Sequence, residues 1–453
     1  MLFRSFQGKF NAQGEEDLYS CLYLFANQGL LSEDNLTLLE TFIVTPKTST
    51  KEGIVRKIQS FKETRSLEQT KRKELTGRKG DLTHIMTKLT SGRSSVLNLY
   101  GSSGVGKTRL ATEALSQWKG TKFKVDLRGL NDMSDVHFHV LKALSAGTEQ
   151  TTVTFEANPV IAKMQQVKQH STSDILLLFD NADQFSGGTG QSALNLNASF
   201  ANFLQRLLRS KRGEDKVQLK ILLTSRSEFR HGVPLDIQNH EVKGLEKESS
   251  GELLQTHGTS SIQGNQRERL VGMCQGKPLL LNGMAAILRQ EIADAEKLLG
   301  TIEQELEVQP QDTAPPAKGQ ATQERETFDL REEGIDEKQL SCLRKMFFFL
   351  PSQKLKDSAI SVSLFCRPFS LEAAAKILDV DPSEAAIRME GIRNSGVLSA
   401  PEDKELLYDI HPLMRKFLKS IGSGKAFAKA YQRAKDNFCK HFISQMRDRK
   451  SVV

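Results

Sequence analysis

GSSGVGKT, residues 101–108, is the stretch that decides the fold of this chain. It lies between a short apolar run at residues 96–100 and a segment whose apolar residues recur at helical spacing. Its three glycines permit the positive φ angles that bring successive backbone N–H groups around a phosphate at a helix N-terminus. The stretch therefore predicts a phosphate-binding loop between a strand and a helix.

Within this loop, Lys107 is expected to reach the β- and γ-phosphates of a nucleotide, and the Thr108 hydroxyl is expected to hold Mg²⁺. The other predicted nucleotide-binding residues of the loop are Gly101, Ser102, Ser103, Gly104, Val105, Gly106 and Arg109. The chain is therefore predicted to bind a nucleoside diphosphate or triphosphate together with Mg²⁺.

Length and composition bound the rest of the chain. Its 453 residues predict several domains, since one domain takes roughly 150 residues. The net charge of +8 comes from 63 basic and 55 acidic residues that are interspersed. That is typical of solvated surface, although contact with nucleic acid or an acidic membrane stays open. The five scattered cysteines form no CxxC pair and indicate reduced thiols. Without a signal peptide or a long apolar segment, we expect a cytoplasmic, soluble protein with no membrane partner.

Alternating apolar runs and helical patterns between residues 67 and 242 predict an α/β P-loop NTPase core, a parallel sheet covered by helices. The predicted strands are residues 96–100, 123–127, 175–179 and 219–223. Residues 148–172 show no decisive pattern, and the Gly-, Ser- and Asn-rich residues 186–197 predict a flexible loop. Residues 1–66 predict short amphipathic helices, which periodicity alone does not distinguish from an ordinary helical bundle.

After the core, residues 243–300 predict a helical domain, and the Pro-rich residues 301–335 predict a linker. Residues 336–421 hold helices and short strands in the order of a winged-helix domain. Its predicted elements are helices at 371–378 and 383–394, strands at 396–400 and 405–410, and a third helix. Residues 422–453 predict a C-terminal helix whose apolar stripe needs a surface to pack against. The stripe consists of Phe427, Tyr431, Ala434, Phe438 and Phe442.

Two strand ends of the core carry the polar residues that a nucleotide site needs. Asp180 follows the apolar run 175–179, at the edge where open α/β sheets bind ligands, and its carboxylate is expected to hold Mg²⁺ through water. Asp183 either polarises an attacking water or is an ordinary turn carboxylate. Arg226 follows the strand at 219–223, and its guanidinium group is predicted to detect the γ-phosphate.

Five signals in this order resemble the STAND class of signal-transduction ATPases, and specifically its NB-ARC branch, which includes apoptosome scaffolds and plant disease-resistance proteins. The signals are LTGRKGD at 75–81, the phosphate-binding loop, the strand that ends at Asp180, TSR at 224–226 and GKPL at 276–279. The resemblance covers about residues 70–420. It implies that the nucleotide is ADP or ATP.

The resemblance also implies roles for residues outside the loop. Gly77 and Arg78 are expected to lie by the adenine and ribose, and Pro278 is expected to pack on the adenine. Arg226 is the arginine that reads the γ-phosphate in relatives. His411 matches the winged-helix histidine that contacts the β-phosphate of ADP and holds the closed state; without the resemblance, a lone histidine here is read as structural.

The chain departs from the family pattern at four positions. Lys79 and Asp81 stand where the GR motif usually carries acids, and Pro412 stands where many relatives have Asp. Asn181 replaces the acid that often follows the strand aspartate. Because an amide side chain cannot act as a base, we predict that the chain is a slow ATPase at most.

Residues 1–66 resemble the later half of a death-effector-type domain, and GLLSEDNLTLLETFI at residues 29–43 is the best match. Met1 begins too late to supply all six helices of that fold, so either the chain is truncated or the module is incomplete. The resemblance implies a death-fold adaptor or effector as a partner.

Two functions are compatible with these features. In the first, ADP holds the chain closed through His411, and exchange for ATP favours an open state that self-associates, in a pathway like those of apoptosis or innate immunity. In the second, the chain is an ATP-dependent transcription regulator that binds DNA through its winged helix. A metabolic P-loop kinase is disfavoured, because no site for an acceptor substrate is evident.

Charge on the predicted recognition helix separates the two functions. Arg388, Arg393 and Lys404 leave contact with DNA open. However, Glu384 and Glu390 lie on the same helix as the arginines, so its surface is not uniformly basic. Nucleic acid is therefore not the expected partner.

Overall fold

The computed structural model describes residues 75–91, 94–130, 132–145, 159–187, 195–210, 217–229, 235–256, 262, 264–289, 295–307, 336–399, 407–424 and 426–450. These residues divide into two compact units. The sheet unit comprises Thr76–Phe349 and His411–Gly424, and the helical unit includes Leu350–Ile410 and Lys425–Val453. The helices predicted for residues 1–66 lie outside the described residues, as does most of the linker predicted for residues 301–335.

A five-stranded parallel sheet forms the centre of the sheet unit. The strands of the unit are β1 (Val96–Tyr100), β2 (Thr121–Asp126), β3 (Ile175–Asp180), β4 (Ser186–Gly187), β5 (Asn195–Leu196), β6 (Leu219–Ser225) and β7 (Ile237–Glu241). The sheet order is β2-β3-β6-β1-β7, and β4 pairs with β5 in a separate antiparallel ribbon. The predicted parallel core is confirmed, and each of its four predicted strands is present.

The burial of each strand explains whether it could be predicted from the sequence. All residues of β3 and β6 are buried, because both strands are flanked by other strands and covered on both faces, so they appear as continuous apolar runs. The sequence does not predict β7, whose residues IQNHE are mostly polar and half-buried. Among the described strands, β7 pairs with β1 alone and lies at the edge of the sheet, so it needs no apolar run.

Helices cover the sheet on both faces. They are α1 (Lys79–Ser91), α2 (Lys107–Gln117), α3 (Met133–Ser145), α4 (Pro159–His170) and α5 (Ala198–Arg209). The sequence shows no decisive pattern at α4, yet Val160, Met164 and Val167 of this helix are buried in the same core as the residues of β3. In the segment predicted as a flexible loop, the described ends form the ribbon of β4 and β5.

Among the described residues, five helices follow the sheet as far as Phe349 within the same unit. They are α6 (Lys247–Thr256), α7 (Gly264–Cys274), α8 (Pro278–Arg289), α9 (Ala295–Glu307) and α10 (Glu337–Phe348). Helical structure therefore continues through Glu307, beyond the predicted start of the linker at residue 301. α8 and α10 pack closely at Gly283, where an added Cβ atom would lie 2.3 Å from the Met346 sulfur.

The elements predicted as a winged helix are distributed over both units. The helical unit contains α11 (Gln353–Val362), β8 (Phe369–Ser370), α12 (Leu371–Leu378), α13 (Pro382–Asn394) and β9 (Leu407–Tyr408). The next helix, α14 (Pro412–Ser423), groups with the sheet unit, as does α10.

The pairing of β9 differs from the predicted hairpin. Among the described residues, the strand predicted at 396–400 contributes one antiparallel bridge, between Ser399 and Asp409. β9 itself pairs with β8, which precedes α12. Side-chain packing accounts for this choice of partner, because Phe369 of β8 is buried and its ring centroid lies 6.1 Å from that of Tyr408.

The described part of the apolar stripe on the last helix, α15 (Ala428–Lys450), is covered within its own unit, and the Phe442 side chain lies outside the described residues. Tyr431 and Ala434 are buried where α15 packs on α11 and α12, and the Phe438 ring lies 5.6 Å from that of Phe365. The described side chains of the stripe therefore pack against other helices of the same chain. No helix in the described ranges has both the length and the apolar character needed to cross a membrane.

Candidate functional site

The loop between β1 and α2 has the backbone conformation predicted from its glycines. Gly101, Gly104 and Gly106 have φ angles of 152°, 84° and 97°. A Cβ atom at Gly101 would lie 2.4 Å from the Val242 carbonyl oxygen, so a side chain would displace backbone there. α2 begins directly after Gly106, and the N–H groups of its first turn have no partners within the helix. The loop therefore forms a backbone cradle suited to an anion.

The other residues of the loop differ in exposure. Val105 is buried, Ser103 and Arg109 are half-buried, and Ser102 is exposed. The buried Val105 also accepts a hydrogen bond through its carbonyl oxygen from the Arg78 guanidinium group, at 2.8 Å. This contact anchors the loop to the residues that precede α1.

Lys107 folds back over the loop. Its Nζ donates hydrogen bonds to the carbonyl oxygens of Gly101, at 2.7 Å, and Ser102, at 3.0 Å. Burial lowers the pKa of Lys107 to about 8, and the nearby cations Arg226 and Lys277 add to this effect. Asp183 and Asp180 oppose it. A phosphate placed at this ammonium group would favour its charged form and be bound by it.

Asp180, at the end of β3, is 2% exposed and accepts two hydroxyl hydrogen bonds. Its Oδ1 lies 2.9 Å from the Thr108 hydroxyl and 2.5 Å from the Thr224 hydroxyl. Burial raises the pKa of the Asp180 carboxyl, Asp126 raises it further, and the two hydroxyl bonds lower it. A carboxylate beside a hydroxyl is a donor set that Mg²⁺ accepts, so Thr108 and Asp180 fit the predicted metal ion.

Asp183 and Arg226 are brought together as an ion pair. Asp183 lies on a 3₁₀ turn, Ala182–Phe185, and its Oδ2 is 3.1 Å from Arg226 Nε. The Arg226 side chain is 40% exposed. Both residues interact electrostatically with Lys107, so the pair lies beside the phosphate-binding loop. The ion pair gives Asp183 a third role beside the two predicted ones, since it orients the guanidinium group of Arg226.

Arg78 is buried and contacts backbone on both sides of the loop. Its guanidinium group donates to the Val105 carbonyl, to the Lys243 carbonyl at 2.6 Å and to Asp81 at 2.9 Å. Gly77 has a φ of 68°, and a Cβ atom there would lie 2.4 Å from the Ser249 side chain. These contacts show Arg78 bracing the loop, a structural role in addition to the predicted one at the ribose.

Pro278 begins α8 beside the loop. A Cβ atom at Gly106 would lie 3.8 Å from Pro278 Cγ, and the Leu279 N–H donates to the Gly104 carbonyl at 3.3 Å. The GKPL segment and the phosphate-binding loop are therefore in direct contact, although many residues separate them in the sequence.

His411 is the N-cap residue of α14 and belongs to the same unit as the loop. Its Nδ1 accepts a hydrogen bond from the Leu413 N–H at 3.2 Å, so the neutral ring carries its proton on Nε2. Burial lowers the pKa of His411 to about 3. The cations that lower it further are Lys107, Arg128, Arg415 and Arg226. His411 is therefore neutral near pH 7 and has one N–H to donate.

Sequence reasoning does not identify three further polar residues near this site. Asp126 and Arg128, separated by Leu127, lie at the end of β2 and form an ion pair at 2.7 Å. Lys277 is buried, and its Nζ donates to the Gln339 side chain at 2.6 Å. The ends of neighbouring parallel strands share one edge, so the VDLR segment at 125–128 is informative only once β2 is known to lie beside β3.

Comparison with known proteins agrees with this geometry. Residues 89–232 match the family model described as an AAA domain. This segment is a P-loop NTPase domain. Arg78, Pro278 and His411 lie outside the matched residues. Arg78 and Pro278 nevertheless contact the loop of this domain, and Lys107 of the loop lowers the pKa of His411. No curated protein sequence matches the chain.

Three solved structures are similar to the chain. A STAND protein with a tetratricopeptide repeat sensor from Pyrococcus horikoshii is 17% identical, with 82% of this chain and 46% of that chain covered and a TM-score of 0.46. Cdc6p from Pyrobaculum aerophilum is 12% identical (81% and 96% covered, TM-score 0.33). Aeropyrum pernix Orc1, solved in complex with DNA, is 12% identical (79% and 94% covered, TM-score 0.35). The present chain thus spans about half of the STAND protein. Sequence identities and TM-scores this low do not allow a function to be transferred from these proteins.

Proposed function

We propose that this chain is an ADP- and ATP-binding signalling switch of the STAND type, closed when it holds ADP and open when it holds ATP. The observation that carries the proposal is the position of His411. This neutral histidine caps α14 and lies close enough to Lys107 of the phosphate-binding loop, and to Arg226, for both cations to lower its pKa. We infer from this proximity that His411, a residue of a later helix, donates to a bound phosphate.

Each residue of the site has a task under this proposal. The loop N–H groups and Lys107 bind the β- and γ-phosphates, and Pro278 packs on the adenine. Arg78 holds the loop near the ribose. Mg²⁺, held by Thr108 and Asp180, screens the phosphate charge when it is bound. The Nε2–H of His411 donates to the β-phosphate of ADP.

Nucleotide exchange can move such a switch only through a difference in affinity between its two states. In the closed state, the nucleotide gains the His411 hydrogen bond. In the open state, that bond is lost, and Arg226 binds the γ-phosphate of ATP instead. The equilibrium therefore depends on how tightly these two residues hold their phosphates.

Several parts of the proposal concern the rest of the chain. The elements from α10 to α14 act as a winged-helix module, following a P-loop domain at 67–242 and a helical domain at 243–300. The open state self-associates, and residues 1–66 bind a death-fold adaptor or effector. The protein acts in the cytoplasm and hydrolyses ATP slowly, because Asn181 stands in place of an acid.

The decisive experiment determines the nucleotide that the full-length chain retains after purification, together with its mass in solution. We expect about one ADP per chain in a monomer, and a larger species after exchange to ATP. Lys107→Ala should weaken nucleotide binding by about 100-fold, because the variant loses the ammonium group that binds the phosphates. Lys142→Ala, an exposed lysine of α3, is the matched control.

A second variant tests the switch itself. His411→Leu should release ADP faster and shift the population toward the larger species, whereas its affinity for ATP should change little. A wild-type chain that neither retains nor binds an adenine nucleotide would contradict the whole proposal. Binding that His411→Leu leaves unchanged would contradict the switching mechanism alone.

A further inference from the structure

The end of β2 carries two charged residues that none of the nucleotide-binding motifs includes. Asp126, the last residue of this strand, lies directly opposite Asp180 in the parallel pairing of β2 with β3. The next residue, Leu127, donates its N–H to the Asp180 carbonyl oxygen at 2.9 Å. The Asp126-Leu127-Arg128 segment is thus attached to the residue expected to hold Mg²⁺.

Asp126 holds the guanidinium group of Arg128 in one orientation. Asp126 Oδ2 lies 2.8 Å from Arg128 Nε and 2.7 Å from the terminal nitrogen Nη2, and Oδ1 accepts the Arg128 backbone N–H at 3.0 Å. The Arg128 side chain is only 13% exposed. An arginine held in this way has lost much of its conformational freedom before any ligand binds, so binding costs less entropy.

Asn181 connects this pair to the metal-binding carboxylate. Its side-chain amide donates to Asp126 Oδ1 at 3.2 Å, and its backbone N–H donates to the Thr224 hydroxyl at 2.9 Å. Thr224 in turn donates to Asp180. A carboxylate at position 181 would face Asp126 with like charge. The Asn181 amide therefore donates a hydrogen bond to Asp126 that a carboxylate at this position could not donate, so Asn181 has a structural role of its own.

Two arginine–carboxylate pairs flank the end of β3 in a similar way. Arg128 follows β2 on one side and pairs with Asp126, and Arg226 follows β6 on the other side and pairs with Asp183. Both guanidinium groups act electrostatically on His411, together with Lys107. Cations gathered around one neutral histidine repel one another, and a highly charged anion would relieve that repulsion.

We propose that Arg128 is a second phosphate-binding arginine, which Asp126 and Asn181 orient toward the terminal phosphate of ATP. The inference rests on the proposed binding of ADP and ATP at the loop. It adds that two guanidinium groups, one on each side of Asp180, distinguish ATP from ADP. Arg128 contacts the nucleotide, whereas Asp126 and Asn181 are positioning residues.

Calorimetric titration of the nucleotide-free full-length chain, with Mg²⁺ and either ADP or the non-hydrolysable analogue AMP-PNP, tests this inference. Arg128→Gln should weaken AMP-PNP binding by about tenfold and ADP binding by about twofold or less. The reason is that Arg128 contacts the third phosphate, which AMP-PNP has and ADP lacks. Arg128→Lys, which keeps the charge without the planar fork, should show the same preference with a smaller loss. Arg209→Gln, at an exposed position of α5, is the control and should change neither affinity.

The positioning residues have a rescue test. Asp126→Asn and Asn181→Asp should each weaken AMP-PNP binding more than ADP binding, since the first releases Arg128 and the second sets two carboxylates against each other. The double variant Asp126→Asn/Asn181→Asp restores an amide–carboxylate hydrogen bond. It should recover the thermal stability lost in Asn181→Asp without recovering AMP-PNP affinity, because the charge that holds Arg128 has moved.

The outcomes separate this inference from the proposal on which it rests. If Arg128→Gln and Arg128→Lys weaken ADP and AMP-PNP equally, or change neither, Arg128 does not bind the terminal phosphate and the inference is overturned, while nucleotide binding stands. If Arg128→Gln does not fold, Arg128→Lys decides in the same way. A wild-type chain that binds neither nucleotide overturns both the inference and the proposed function.

Discussion

The carboxyl edge of the sheet and the helical unit place their charged residues in opposite surroundings. At the sheet edge, Asp180 is 2% exposed and is bonded to the hydroxyls of Thr108 and Thr224. In the helical unit, the ion pair between Arg433 and Asp379 has both side chains about two-thirds exposed. Charged groups that are buried cost free energy unless they are paired or bind a ligand, whereas exposed pairs contribute little.

The same contrast bears on the proposed recognition helix. In α13, Arg388 is paired with Glu384 and Arg393 with Glu390, each within one helical turn. These pairs neutralise the arginines that would face a DNA backbone. The third residue named for that role, Lys404, lies outside the described residues. The comparison therefore weighs against DNA binding by α13 and agrees with the proposed binding of a nucleotide at the sheet edge.

Glycine substitutions should give the largest difference between the two regions. Gly276, beside the loop, has a φ of 65°, and a Cβ atom there would lie 2.2 Å from the Leu245 carbonyl oxygen. Gly391 in α13 would place its Cβ atom 3.0 Å from the tip of the Leu355 side chain, which can move. We expect Gly276→Ala to lower the free energy of unfolding by about 3 kcal/mol and Gly391→Ala to change it by less than about 1 kcal/mol. Denaturant unfolding of both variants measures this, and equal losses would contradict the contrast.

Removing the buried carboxylate should have the next largest effect. Asp180→Asn keeps an oxygen that accepts the hydroxyls of Thr108 and Thr224 but loses the charge expected to bind Mg²⁺. We expect affinity for ATP in the presence of Mg²⁺ to fall about 100-fold, and affinity in the presence of EDTA to change much less. Titration with a fluorescent ATP analogue under both conditions checks this, and a loss that does not depend on Mg²⁺ would assign Asp180 a structural role.

The pKa of Lys107 predicts how nucleotide binding depends on pH. Burial lowers this pKa to about 8, so the free chain loses the proton of Lys107 as the pH rises through 8. A bound phosphate favours the protonated form, so binding above pH 8 must take up a proton. We expect ADP affinity to fall about tenfold between pH 7.5 and pH 9.5, with proton uptake visible as a buffer-dependent binding enthalpy.

A neighbouring lysine supplies the control for that measurement. Lys277 helps to lower the pKa of Lys107, so Lys277→Met should keep the pH dependence and move its midpoint to a higher pH. An affinity that stays constant from pH 7.5 to pH 9.5 would show that Lys107 does not bind the phosphates in its charged form.

The smallest effect is expected at the exposed pair of the helical unit. Asp379 ends α12 with a φ of 55°, a conformation that Asn also tolerates. Asp379→Asn should therefore change the free energy of unfolding by less than about 1 kcal/mol and leave nucleotide affinity unchanged. Thermal unfolding at low and high salt measures this. A large loss of unfolding free energy that does not depend on salt would show that this exposed ion pair stabilises the fold as much as a buried one.

Local patterns made part of the site predictable. The loop conformation follows from three glycines and the adjoining strand and helix, and Asp180 and Arg226 follow apolar runs that mark buried strands. The sequence does not predict β7 or α4. The edge strand β7 has no need of an apolar run, and α4 buries only a narrow stripe. The sequence does not mark Asp126 and Arg128 as site residues, because their position next to Asp180 depends on which strand lies beside β3.

The glycines, lysine and threonine of residues 101–108 by themselves determined that this chain has a phosphate-binding loop, because φ angles and helix N-termini are properties of a few consecutive residues. Only the tertiary structure decided which other residues lie near that loop or near Asp180 at the adjoining strand end. Arg78, Pro278, His411 and the Asp126–Arg128 pair come from distant segments of the chain. Strand order and helix packing bring them together, and both depend on long-range burial that no short stretch of sequence encodes.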